Sequence, residues 1–377
     1  MVRAARGIGR MLRVLFVFGW LVVGGEETEL RHLARHLDPD RYRVEVVACL
    51  RRDGMAEQAH RQLEALGVPL DTTPYRLTPE NTVAYLAEKL AGYDLVVACQ
   101  AVPYVHPALE GMARRPPLIE HGGTVREATA GPKHLTARYV GVCASIRDAA
   151  AQAMPDRPQH ALEIPSMVDL AEFDPTDRAG VRAELGLDAD TPLVGWIGRL
   201  DRKKRVEDFL AAAALVHRRH PEVRFVVVGG PDFFMPEYER ELRQQTKELG
   251  LNSVLTFLGD RPDVPRLMAG LDVLAWLARG EGMPHVIAEA GAARLPVVAT
   301  PDNGVTEQLI DGVSGLFVPH QDPPAVAAKL EALLADPALR QRLGAALRRT
   351  VEARYSTTIL TQAWERLLDQ VLEEEPR

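Results

Sequence analysis

Short, near-continuously apolar runs alternate along this chain with stretches whose apolar residues fall at helical spacing, and that alternation most constrains how it can fold. A run apolar at nearly every position has no face suited to water. It reads as a strand covered on both sides, the condition of parallel sheets with helices above and below. In the first half such runs cover 12–18, 43–49, 94–99, 117–120 and 139–144. Between the first two, Leu30, Leu33 and Leu37 share one face of a helix expected over 26–37, and Asp38-Pro39-Asp40 stops it. A second series, at 193–197, 224–228, 254–258, 272–277, 296–300 and 316–318, follows a stretch rich in proline and aspartate. The fold class is therefore α/β, with two Rossmann-like, doubly wound domains. They are expected to face each other across a cleft, with ligands at the carboxyl ends of the strands.

The pattern divides the chain into a basic N-terminal extension (1–11), a first domain (12–165), an interdomain linker (166–192), a second domain (193–355) and a C-terminal helix (356–377). The linker is marked by Pro175 and Pro192 among Asp174, Asp177, Asp188 and Asp190 and holds one short helix; the last helix is expected to pack back on the first domain. With 377 residues, 46% of them hydrophobic, two cores can form and a disordered chain is excluded. The 45 basic and 52 acidic residues leave −7, so no basic face for nucleic acid is expected. Cys49, Cys99 and Cys143 each close an apolar run without C-x-x-C spacing and read as buried core residues in a reducing cytoplasm. The longest apolar run, 14–23, falls short of the roughly 20 residues that span a bilayer, and no A-x-A cleavage site follows it. Arg3, Arg6, Arg10 and Arg13 make the start basic; it reads as a loose extension, with weak contact to the inner face of the membrane as the less favoured alternative. The expected location is the cytoplasm.

Chemistry concentrates in a few places. Glu281-Gly282-Met283-Pro284 joins an apolar run to a helix, with Pro284 expected in the first turn, so the N–H groups of Gly282 and Met283 lie at a strand-to-helix corner that suits anions and hydroxyls. Glu289 falls inside the apolar stretch that follows, an unusual place for a carboxylate. From these residues alone, a dipole-favoured Glu281 with an exposed mid-helix Glu289 is an equal alternative. Gly198-Arg199-Leu200 ends the first run of the second domain, and Lys204 begins a helix; an Arg fork and a Lys point charge at this spacing can converge on one diphosphate. Only six of the basic residues are lysines, so Lys203-Lys204 is not compositional noise. Arg202 and Lys203 themselves read as a solvated basic face.

Taken in order, Gly24-Gly25-Glu26-Glu27, His121-Gly122-Gly123, Pro165-Ser166-Met167-Val168-Asp169, the stretches IGRLDRKKRVEDFLAAA and FLGDRPDVPRLMAGLDV, Glu281 with Glu289, and Gly304-Val305-Thr306-Glu307 resemble one family. It is the retaining glycosyltransferases of family 4, also called glycosyl transferases group 1, which have the two-domain GT-B fold. The resemblance covers nearly the whole chain from Leu12. It implies an N-terminal acceptor domain and a C-terminal nucleotide-sugar domain. By it, Arg199 and Lys204 hold the donor diphosphate, Glu281 with the Gly282 and Met283 N–H groups meets donor-sugar hydroxyls, and Glu289 binds the ribose. Gly24-Gly25 lets the first-domain backbone approach phosphate and acceptor, and His121 lines the sugar site, where a plain turn is its other reading. The chain departs from the family at Ser166-Met167 in place of Asn-Gly, at Arg205 in place of a common Gly, and at Ala278 in place of a frequent Ser.

The implied reaction moves a sugar from a nucleotide-diphosphate donor to a hydroxyl of a sugar, lipid-linked or small-molecule acceptor, with retention, in glycan, polysaccharide or glycolipid synthesis. No cofactor or metal is expected: Asp38-Pro39-Asp40 and Asp188-Ala189-Asp190 spell Asp-x-Asp but sit where turns are expected. The alternatives are a GT-B nucleotide-sugar epimerase or hydrolase and, less favoured, a non-enzymatic sugar-binding protein. A dinucleotide oxidoreductase lacks its G-x-G-x-x-G after a strand.

Overall fold

The structure is a computed structural model and describes residues 10–173 and 177–374. Arg3 and Arg6 of the expected extension, Asp174 and Pro175 of the expected linker, and the last three residues lie outside the described residues. Two compact units are present: one runs to Pro165 and takes in the chain from Thr358 onward, the other spans Ser166–Thr357.

Among the described residues, the first unit holds β1 (Leu12–Trp20), β2 (Tyr42–Leu50), β3 (Leu70–Asp71), β4 (Leu95–Cys99), β5 (Leu118–Gly122), β6 (Thr136–Gly141) and β7 (Ala161–Glu163) in one parallel sheet of order β3-β2-β1-β4-β5-β6-β7. Val14 to Phe18 are fully or almost fully buried, as a strand covered on both faces requires, and each such side chain adds about 1.5–3 kcal/mol of stability. The helix Gly25–His36 returns over the sheet on Leu30 and Leu33. β6 starts at Thr136 and not at Tyr139, because the polar side chains of its first residues are buried with partners. Thr136 Oγ1 donates to Glu120 Oε1, and the Arg138 guanidinium reaches Ala137 O at 2.7 Å and the Glu374 carboxylate. β3 and β7 are edge strands too short to show a period. All three cysteines are buried, and none forms a disulfide.

The second unit holds β8 (Leu193–Ile197), β9 (Arg224–Val228), β10 (Leu255–Gly259), β11 (Val273–Trp276), β12 (Val297–Ala299) and β13 (Leu316–Phe317), parallel and ordered β10-β9-β8-β11-β12-β13. Its core sets Trp196, Phe209, Phe225 and Leu330 around the sheet. The stretch 166–192, read above as linker, is counted with this unit. Its helix Arg178–Glu184 is anchored by one carboxylate: Asp272 accepts from Arg178 at 2.7 Å, from Arg182 at 2.8 Å and from Leu193 N at 2.8 Å. A Cβ on Gly270 would lie 2.3 Å from Val181 Cγ1, so glycine is what lets this helix sit down. Both Asp-x-Asp tripeptides are turns, the first closed by Asp38 Oδ1 accepting from Asp40 N at 3.0 Å.

The helix Thr357–Glu374 packs in the first unit beyond its first residue: Trp364 Nε1 donates to Glu29 Oε1 at 3.3 Å, and Asp369 accepts from Tyr42 Oη and Arg41 Nη2 at 2.7 and 2.6 Å. No helix among the described residues is long and apolar enough to cross a membrane.

Candidate functional site

The second sheet reverses its order between β8 and β11, the point where doubly wound sheets open to ligands. β8 runs into Gly198-Arg199-Leu200. Gly229, at φ +132°, passes so close that a Cβ there would stand 1.8 Å from Gly198 O. Arg199 Nε lies 2.9 Å from Asp232 Oδ2, a contact of charge without hydrogen-bond alignment. Lys204 ends the turn Arg202–Lys204, which Asp201 caps by accepting Lys203 N at 2.8 Å. The Lys204 ammonium sits 3.2 Å from Glu281 Oε2 and 4.7 Å from the centre of the Trp276 ring, so an ion pair and a cation–π contact hold it over the end of β11. Arg205, the departure from the family's Gly, adopts φ +56° and ψ +46°. Its guanidinium grips Glu207 at 2.6 Å and Asp208 at 2.8 Å, which offsets left-handed strain that a glycine would not have.

The Glu281 loop is held from β12. Asp302 Oδ2 accepts from Gly280 N and, at 3.1 Å, from Glu281 N; Asn303 Nδ2 donates to Glu281 O at 2.7 Å, and Gly304 N donates to Gly282 O at 2.7 Å. A Cβ on Gly304 would stand 2.6 Å from Gly282 O, so this approach requires glycine. The N–H groups of Gly282 and Met283 find no acceptor among the described residues. Pro284 caps the helix His285–Ala292 and does not open its first turn, a shift of one residue from the expectation. Glu289 sits half-buried on that helix between the fully buried Ala288 and Ala290.

The first sheet reverses between β1 and β4. Gly24-Gly25 opens the helix after β1, and two acids follow at once. Glu27 Oε1 accepts Val22 N at 3.1 Å. Glu26 is 8% exposed, with Oε2 accepting Gln100 Nε2 at 3.0 Å. Burial, then the charges of Glu127 and Glu27, push the Glu26 carboxyl well above its ordinary range. Gln100 follows β4 at φ +57°, a left-handed conformation uncommon outside glycine. His121 and Gly122 are the last residues of β5 and do not lie beyond it as expected. His121 is buried, with Nδ1 4.0 Å from Cys99 Sγ and its ring edge-on to Trp364 at 5.5 Å. Glu127 accepts Gly123 N at 2.8 Å and Thr124 N at 3.0 Å, and Thr124 Oγ1 accepts Glu127 N at 3.2 Å, a complete capping box. Beneath it, buried Lys133 donates to buried Glu120 at 2.5 Å.

Lys204 and Glu281, far apart in sequence, are thus brought into contact, and Arg199 stands on the same connection; Gly24, Gly25 and His121 gather at the carboxyl edge of the other sheet. Sequence reading missed Asp232, Trp276, Asp302, Asn303 and Gln100. Asp302-Asn303-Gly304 carries a turn signature after an apolar run, which could have flagged it. Nothing in the sequence around Gln100 marks it.

Comparison with known proteins agrees with the two-domain fold. Residues 177–350 match the family model described as glycosyl transferases group 1. D-inositol 3-phosphate glycosyltransferases are similar in sequence. That of Corynebacterium urealyticum is 35% identical over 175 residues, 45% of this chain and 41% of the relative, and that of Geodermatophilus obscurus is 33% identical over 223 residues, 57% and 47%. The chain spans less than half the length of these curated relatives. Among solved structures, Anabaena Alr3699/HepE in complex with UDP-glucose superposes with a TM-score of 0.84 at 23% identity over 95% of this chain and 100% of that one. A sucrose-phosphate synthase from Thermosynechococcus elongatus superposes with a TM-score of 0.75 at 20% identity over 96% and 100%. The two doubly wound domains have the GT-B architecture, and residues 177–350, a little under half of the chain, are similar to the glycosyl transferases group 1 family.

Proposed function

We propose that this protein is a retaining glycosyltransferase that moves a sugar from a nucleotide-diphosphate donor to an acceptor hydroxyl without a metal ion. The observation that carries the reading is the convergence of Lys204 on Glu281 beside Arg199, at the switch point of a group 1 domain. Arg199 and Lys204 supply positive charge to the diphosphate, where negative charge grows as the sugar departs. They fill the part a divalent cation plays elsewhere, so activity should survive excess chelator. Glu281 and the Gly282 and Met283 N–H groups meet sugar hydroxyls, and Glu289 takes the ribose. Gly24-Gly25 admits the acceptor and phosphate close to the backbone, and His121 lines the sugar site from the first unit. With no second carboxylate assigned as a nucleophile, front-face attack is favoured, the leaving phosphate receiving the acceptor proton. The complex of Alr3699/HepE with UDP-glucose supports a uridine diphosphate sugar as the first donor to try.

The test separates the two glutamates. Glu289→Gln should weaken bare nucleoside diphosphate as well as intact donor, whereas Glu281→Gln should weaken intact donor alone. Each affected constant should move by about ten- to a hundredfold, the worth of a hydrogen bond to a charged group. Calorimetry of both variants against UDP and UDP-glucose reads all four constants, and equal losses throughout would reduce the pair to a helix-start motif.

A further inference from the structure

Buried polar atoms in folded proteins are paired, and those that are not call for an explanation. Two lie together in the first unit. Glu26 Oε1 and Tyr139 Oη are both buried without a hydrogen-bond partner, in side chains 8% and 1% exposed. They flank one dipeptide. A Cβ on Gly122 would stand 2.0 Å from Tyr139 Oη, and a Cβ on Gly123 3.9 Å from Glu26 Oε1. The neighbouring acids accept backbone N–H groups, Glu27 from Val22 and Glu127 from Gly123 and Thr124, whereas Glu26 is held through Gln100, whose backbone is itself in a left-handed conformation, with the Gly123 N–H also acting on its carboxyl. Strain and unmet polar atoms at the carboxyl ends of strands mark a place shaped for something other than stability.

Acidic side chains crowd around it. Glu26, Glu27, Glu127 and Glu29 all act on the Cys99 thiol and, after burial, hold it protonated. Of the cations on neighbouring connections, Lys133 is engaged by Glu120 and Arg147 by Asp148 and Glu163, while Arg126 lies exposed on the helix that Thr124 caps. A phosphate needs the opposite setting, uncommitted cations or several N–H donors. A neutral hydroxyl, which both donates and accepts, suits an unpaired carboxyl oxygen and an unpaired phenol.

We propose that Glu26 and Gln100, with the Tyr139 hydroxyl, form a subsite for an uncharged sugar or polyol carrying the acceptor hydroxyl, and that this subsite rejects phosphorylated acceptors of the kind named for the inositol 3-phosphate enzymes. The proposal rests on the transferase reading above. Its test uses the whole chain with UDP present and matched probes, myo-inositol against inositol 3-phosphate and methyl glucoside against glucose 6-phosphate, with binding read by saturation-transfer NMR. A neutral probe should bind, and its phosphorylated partner should bind at least about tenfold more weakly. Gln100→Gly, which relieves the left-handed backbone, should fold as well as the parent and weaken the neutral probe by about tenfold, as should Glu26→Ala, with UDP affinity retained in both. Equal or tighter binding of the phosphorylated members, no probe bound at millimolar concentration, or unchanged binding in both variants overturns the subsite. Because binding is read without turnover, neutral probes that bind in a chain showing no sugar transfer from any nucleotide sugar support the subsite and count against the transferase reading.

Discussion

In the first unit Lys133 and Glu120 meet at 2.5 Å with side chains 4% and 2% exposed, while in the second Lys204 and Glu281 meet at 3.2 Å with 14% and 23% exposed. The first joins the β5–β6 connection to the middle of β5, and the second joins two connections at the carboxyl edge of the other sheet. The first is sealed, with Thr136 Oγ1 and His106 also on Glu120, so it ties the β5–β6 connection down and has no charge left for a ligand. The second has a half-open cation shared with an aromatic face, which leaves it accessible to the diphosphate of the proposed donor. One fold thus uses the same chemistry as an anchor in one unit and as an exchangeable contact in the other.

The comparison breaks most readily at Lys133. Lys133→Ala leaves Glu120 buried without its cation and should cost about 3–5 kcal/mol of stability, read by denaturant unfolding. A loss below about 1 kcal/mol, the range of exposed pairs, would mean that water replaces the lysine and that the anchor is no anchor. Lys204→Ala and Arg199→Ala should behave in the opposite way, with stability changed by less than about 1 kcal/mol but turnover reduced by about 3 kcal/mol, on the order of a hundredfold. Turnover within about threefold of the parent in both variants would remove them from the donor site.

Arg205 sharpens the contrast between strain and ion pairing. Arg205→Ala keeps the left-handed backbone and loses Glu207 and Asp208, while Arg205→Gly loses the same partners without strain. The glycine variant should be the more stable of the two by about 1–2 kcal/mol, measured as a difference in unfolding free energy. Equal stabilities would show that the turn refolds around alanine.

The smallest effect concerns Glu26. Its folded carboxyl titrates above the unfolded one, so as pH rises past the ordinary carboxylate range the unfolded chain loses its proton first, and stability falls until the buried group also ionises. Glu26→Gln has no proton to lose. Its melting temperature relative to the parent should rise between pH 5 and pH 8, against the same background of Glu27, Glu127 and Gln100. A pH-independent difference would mean that Glu26 is ionised in the folded chain.

Much of this was legible beforehand. β8 and β9 span the runs read from sequence, because a strand buried on both faces must be apolar at every position and that demand is written locally. Arg199, Lys204, Glu281 and the glycine pair stood out for a similar reason, as charged or side-chain-free residues at the ends of such runs. β3, β7 and the polar start of β6 left no such trace, since two or three residues show no period and Thr136 and Arg138 hide their polarity in partners elsewhere in the chain.

By itself, then, the sequence determined most of the strands, that they form two parallel α/β domains, and which end residues carry charge. Tertiary structure alone decided that Lys204 lies on Trp276 beside Glu281, that Asp302 and Asn303 hold the Glu281 loop, and that Glu26 and Tyr139 keep unpaired oxygens around Gly122-Gly123. Burial is a property each segment declares through its own side chains. Contact between segments depends on strand order and on how closely glycines such as Gly229 and Gly304 let the connections approach, and no local pattern encodes either.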